Sequence, residues 1–126
     1  GGVVNGLSLT ELSREGLVFL NGSKYYGTPE ENGYQYIKLG NVKLVLLHFV
    51  LKTPGNNGET TKEILEVPDI IKPLEAVVAT QTWGSNTPSF INYYLLQNGH
   101  IEMHTSVTID GDTSAHYATF LYLAQG

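Results

Sequence analysis

His100, Glu102 and His104 stand at alternate positions of one stretch and share a face with Ser106 and Thr108, while Ile101, Met103, Val107 and Ile109 share the other. Two imidazoles flanking a carboxylate, spaced about 7 Å apart along a strand face, have the chemistry to hold a divalent cation. Copies meeting at a symmetry axis would complete such a shell. The same pattern also describes an ordinary polar outer face with a His–Glu–His ladder, and no fourth ligand stands nearby in sequence. Asp110 and Asp112 in Asp-Gly-Asp-Thr suggest calcium, but the other positions of a calcium loop are missing and a tight turn accounts for them. His48 lies in the most apolar stretch of the chain, where a neutral imidazole is a packing group of a core or an interface. No Gly-x-Ser-x-Gly elbow, His-Glu-x-x-His helix or Gly-rich phosphate loop accompanies the four histidines. No enzymatic step, cofactor or resident metal is expected.

A second constellation has the chemistry of sugar contact. Trp83, the only tryptophan, precedes Gly84, Ser85, Asn86 and Thr87, which sets a flat aromatic face beside short hydroxyl and amide groups. Tyr25 and Tyr26, and Asn56 and Asn57 in a Gly-rich loop, offer similar groups. The alternative is that these large aromatics fold back as lids on a core.

The elements that would position these residues are strands. Tyr34–Leu39 and Val42–Lys52 are two β-rich runs joined by Gly40-Asn41, a two-residue hairpin signal. In the second run, Val42, Leu44, Leu46, His48 and Val50 alternate with Val45, Leu47, Phe49 and Leu51, so both faces are mainly apolar and both need cover. One cover is the domain's own second sheet; another copy of the chain is a candidate for the other. Thr60–Val67 reads as an edge strand ended by Pro68, and Leu74–Thr82 as a further strand. Phe90–Gln97 and His100–Ile109 form a hairpin about Asn98-Gly99, and Ser114–Leu123 is the last strand. Ahead of them, Ser8 or Thr10 could cap one helical turn over Glu11–Arg14, before a short strand at Leu17–Leu20. The pattern predicts an all-β antiparallel sandwich of about six to eight strands.

Bulk composition narrows the partners. The chain has 126 residues, enough for one domain. Seven Lys and Arg against twelve acids give a net charge of −5, which argues against nucleic acid or anionic membrane. No apolar run approaches the ~20 residues needed to span a bilayer. Cysteine is absent, which excludes disulfides and thiolate metal sites. The opening Gly1-Gly2, without an initiating Met or basic leader, predicts a piece of a longer chain or a processed product.

Gly33–Leu39, a tight turn and an apolar strand are followed by a polar loop, a strand into Val67-Pro68, and the Leu74–Thr80 strand. Together they resemble the C-terminal domain of bacteriophage tail fibres. That family typically reads Gly-Tyr-Ile-Lys-Leu, a Pro-Asn-Gly turn, an apolar strand, then a Phe-Pro motif before a Val-rich strand. Tyr117–Gly126 is similar to its final aromatic strand. The turn here lacks proline, and Val67-Pro68 replaces Phe-Pro. The resemblance implies a homotrimeric, intertwined or side-by-side, receptor-binding tip on the virion that recognises a bacterial surface structure, often a glycan, outside the cell. It also implies a division into a neck or shaft end at 1–33 and a head at 34–126. Leu44, Leu46, His48 and Val50 are then the candidate trimer contacts. Trp83, Asn86, Thr87, Tyr25, Tyr26, Asn56 and Asn57 are the candidate receptor contacts. The alternative is a monomeric carbohydrate-binding module of a secreted bacterial protein, with Trp83 and a Tyr as its platform; a small hydrolase lacks any legible nucleophile–base pair.

Overall fold

Gly40 adopts a φ of 63°, the left-handed conformation that lets two strands reverse directly. In the computed structural model, which describes residues 7–54, 61–83, 89–105 and 115–126, this hairpin is the centre of one sheet of an antiparallel β-sandwich. The strands are β1 (Val18–Phe19), β2 (Lys24–Tyr25), β3 (Gly33–Leu39), β4 (Val42–Lys52), β5 (Thr61–Glu66), β6 (Val77–Trp83), β7 (Ser89–Leu95), β8 (His100–Thr105) and β9 (His116–Gln125). Single 3-10 turns at Pro29–Glu31 and Asp69–Ile71 are the helical elements among the described residues.

The long strand β4 is flanked on one side by β9, paired from Val42↔Gln125 to Leu51↔His116. On its other side lie β3 and, beyond it along the strand, β2. The second sheet runs β1-β5-β8-β7-β6. Between the sheets the odd positions of β4 (Val45, Leu47, Phe49, Leu51) meet Ile91, Tyr93, Leu95, Ile101 and Met103 of β7 and β8, all fully buried. Phe49 packs edge-on to Tyr93, with ring centroids 5.3 Å apart. From β9, His116, Ala118, Phe120, Tyr122 and Ala124 point inward.

Two local expectations change. Residues 11–14, expected as one helical turn, form none. Residues 10–13 run along the outer edge of β3, with Thr10 N–H donating to Tyr36 O (3.1 Å) and a reciprocal pair joining Ser13 and Tyr34 (3.0 and 2.8 Å). An open strand edge leaves a row of backbone groups to satisfy, and this demand outweighs one capped turn. β5, expected at the edge, has β1 beyond it, and a bulge between Glu63 and Leu65 turns both Ile64 and Leu65 into the core. Both β1 and β2 lie within the stretch expected as a neck, so the sandwich draws strands for each sheet from before residue 34.

Candidate functional site

The outer face of the β9-β4-β3 sheet is apolar across its width. Period-2 alternation directs Val42, Leu44, Leu46, His48 and Val50 away from the core. Register sets Leu123 beside Leu44 and Leu121 beside Leu46 on the β9 side, with Ile37 beside Leu44 on the β3 side. Leu121 is 65% exposed, Tyr117 47%, Leu123 45% and Leu46 39%. Leu12 extends the patch from the lead-in. A Cβ on Gly33 would stand 2.8 Å from Leu12 Cδ1 and 2.7 Å from Ser13 O, and Gly33 has φ 141°, so glycine there makes room for the leucine. All four residues expected at a subunit contact, Leu44, Leu46, His48 and Val50, therefore share one outward face.

The polar groups of that face are few. His48 Nδ1 lies 2.7 Å from Thr119 Oγ1 on β9. Gln35 and Gln125 stand near its margins. The outward charges on these strands are Lys52 and its register partner Lys24, at one end. Lys52 Nζ lies 5.5 Å from the centroid of Tyr26, which is 37% exposed. Tyr25 turns instead against the core and meets Phe19 edge-on at 4.8 Å. Of the two tyrosines proposed for receptor contact, only Tyr26 is thus set outward.

The opposite outer face is of another kind. Asn92 and Tyr94 of β7, His100, Glu102 and His104 of β8, and Thr61, Glu63 and Glu66 of β5 face out together. The two histidines do not converge on one point. His100 is clasped through Nδ1 by Glu63 and through Nε2 by Glu66 at 3.4 Å, whereas His104 Nε2 pairs with Glu102 Oε1 at 2.9 Å. Tyr94 packs on the His104 ring, with centroids 4.3 Å apart. The hydrogen bond to Glu63 is the main cause that raises the pKa of His100 above the ordinary histidine value. No group of three His, Asp or Glu among the described residues could hold a metal ion; of the three residues grouped by spacing, His104 pairs with Glu102, while His100 turns to Glu63 and Glu66 on β5. Next to them Phe90 stands 60% exposed, opposite Thr82, an aromatic that the strand pattern alone did not single out.

The sandwich has two unlike ends. Lys52 is level with Lys24, Thr61 with His104, and Gln81 joins Ala115 O (3.0 Å) and Tyr117 N–H (3.1 Å). The strand ends that bracket residues 55–60, 84–88 and 106–114 therefore gather at one end. The other end carries the Gly40-Asn41 turn, with Gly126 N–H bonded to Asn41 O at 2.8 Å, and residues 96–99. Asn56, Asn57, Asn86, Thr87, Asp110, Asp112 and the side chain of Trp83 lie outside the described residues, although the β6 backbone places Trp83 at the first end.

Behind that end sits a buried polar cluster. Tyr93 Oη donates to Gln81 Oε1 at 2.6 Å and lies 3.3 Å from His116 Nδ1. Burial lowers the pKa of His116 to about 4 and raises that of Tyr93. Nothing in the spacing of these residues marks the cluster, because Gln81, Tyr93 and His116 come from three strands. Compared with known proteins, the chain matches no family model, no curated protein and no solved structure.

Proposed function

We propose that this chain is a non-enzymatic receptor-binding module that works as a homotrimer, the tip domain of a phage-type tail fibre on the virion, recognising a bacterial surface structure, a glycan by the chemistry of its loops. The observation that carries the reading is the apolar outer face of the β9-β4-β3 sheet. The ten paired residues of each of β4 and β9 and the seven of β3 span roughly 430 Å² per chain, so two such faces brought together bury roughly 860 Å² from the strands alone, close to the ~1,000 Å² of the smallest specific interfaces. That face bears no acid among its outward strand positions and only two lysines at one end, the charge-poor composition of an interface core.

The polarity of the sandwich agrees with a tip. The lead-in runs antiparallel along β3 from the Leu39 end, while the strand ends flanking the three long connections gather at the far end. Trimerisation would present those connections three at a time, which raises a weak single-site affinity through multivalency.

Light scattering at micromolar concentration tests the assembly: a mass three times the 13.8 kDa of one chain is expected, and a monomer removes the reading. Binding to host cells, compared with cells stripped of surface polysaccharide, tests the partner. Trp83→Ala should weaken that binding at unchanged mass. A monomeric carbohydrate-binding module is the second reading, favoured by Phe90 standing exposed on the opposite, hydroxyl-rich face; it predicts a monomer whose glycan binding is lost with Phe90→Ala.

A further inference from the structure

Within the apolar outer face, one central side chain carries an ionisable group. His48 lies midway along β4, with Leu46 and Val50 before and after it on the same face, Thr119 beside it on β9, and Gly33 beside it on β3. The diagonal neighbours on β9 are Tyr117 and Leu121, and Gln35 is the diagonal neighbour on β3. Leu12 reaches over Gly33 from the lead-in. None of these is a carboxylic acid or a base. The lead-in contributes Glu11, Arg14 and Glu15, and Arg14 Nη1 lies 3.4 Å from Asn32 O. Beyond Val50 come Lys52 and Lys24, and Glu30 and Glu31 stand exposed on the 3-10 turn. Each histidine–carboxylate ion pair among the described residues belongs to His100 or His104.

We propose that His48 gates assembly: copies pack through this face only while the imidazole is neutral, and acidification releases them. The inference rests on the homo-oligomer reading above and adds its regulation. A neutral imidazole with one nitrogen held by the Thr119 hydroxyl can enter an apolar seam at modest cost. A protonated one adds a charge in every copy, with no carboxylate on the face to offset it, and burying an unpaired charge is far costlier than burying a neutral hydrogen-bonded group. The hydroxyl partner matters because it accepts from an N–H or donates to a bare nitrogen, but carries no countercharge. The same His–Thr pair, being the polar spot in an apolar surface, also favours one register of packing over others, as lone polar groups do in other apolar seams.

The test is the oligomer mass of the intact chain at pH 8 and at pH 5, near the pH 8 dissociation constant, with circular dichroism confirming the fold at both. The subunit dissociation constant should rise by at least ~10-fold between these pH values. His48→Leu should hold its mass at pH 5. His48→Gln, polar but without a titrating proton, should also lose the pH dependence if it assembles more weakly. A wild-type oligomer unchanged at pH 5, or a His48→Leu variant that dissociates there as the wild type does, overturns the gate and leaves the oligomer standing. A wild-type monomer at pH 8 overturns both.

Discussion

The two outer faces of the sandwich are built from the same kind of strand and solve opposite problems. On the β5-β8-β7 side, residues alternate apolar-in and polar-out apart from the exposed Phe90, and the outward carboxylates and imidazoles pair with one another, so water is an adequate neighbour. On the β9-β4-β3 side, the outward residues of β4 and β9 are leucines, valines and a tyrosine, with the His48–Thr119 pair among them and Lys52 and Gln125 at the ends. Both strands are sealed equally well against the core. The difference lies in the chemistry of the second face, and a contiguous apolar patch on a small domain is the kind of surface on which the proposed assembly rests.

The largest expected effect follows from charging one face and not the other. Leu46→Glu sets a carboxylate on a side chain already 39% exposed, so the fold should hold while self-association weakens at least ~100-fold, the loss expected when a central interface anchor is replaced. Val78→Glu makes the same kind of change at a residue 54% exposed on the other face, and it should leave the mass unchanged. Sedimentation at matched concentration separates them. Equal loss in both variants would mean that the two faces do not differ in role.

Much of this contrast was legible before any coordinates. The apolar residues at both parities of Val42–Leu51 were enough to predict a strand with two apolar faces, because alternate residues of a pleated strand point to opposite sides. The Gly40-Asn41 and Asn98-Gly99 turns followed from backbone conformations that few residues adopt. What stayed hidden depended on pairing between distant segments. Residues 10–13 look like a helix start until β3 offers them an edge, and the bulge that buries Ile64 together with Leu65 is invisible to a period-2 count. Likewise His100 was grouped with His104 by spacing, whereas its actual partners, Glu63 and Glu66, arrive from β5.

A smaller effect distinguishes a histidine behind one face from a histidine upon the other. His116 is buried beside Tyr93 with a pKa lowered to about 4. The unfolded chain takes up that proton near 6.5 while the folded chain resists it, so stability is complete above that value and falls as the pH drops toward 4. The loss approaches about 3 kcal/mol. Urea unfolding between pH 4.5 and 7 should show this slope, and His116→Gln, which cannot titrate, should remove most of it. An unchanged slope would place the acid sensitivity elsewhere.

His100 should show the reverse sign and the smallest effect. Its pKa is raised, chiefly by the hydrogen bond to Glu63, so the folded chain holds the proton more tightly than the unfolded one. The added stability is present below the ordinary histidine value and fades as the pH rises through the raised pKa. Because the side chains of His100, Glu63 and Glu66 are 28%, 41% and 37% exposed, solvent screening keeps the gain below ~1 kcal/mol. His100→Gln should therefore lower the urea midpoint slightly at pH 6 and converge with the wild type at pH 9. A gap that widens toward pH 9 would show that the β5–β8 contact depends on the packing of the ring and not on its charge, and the polar face would then be held as the apolar one is, by shape.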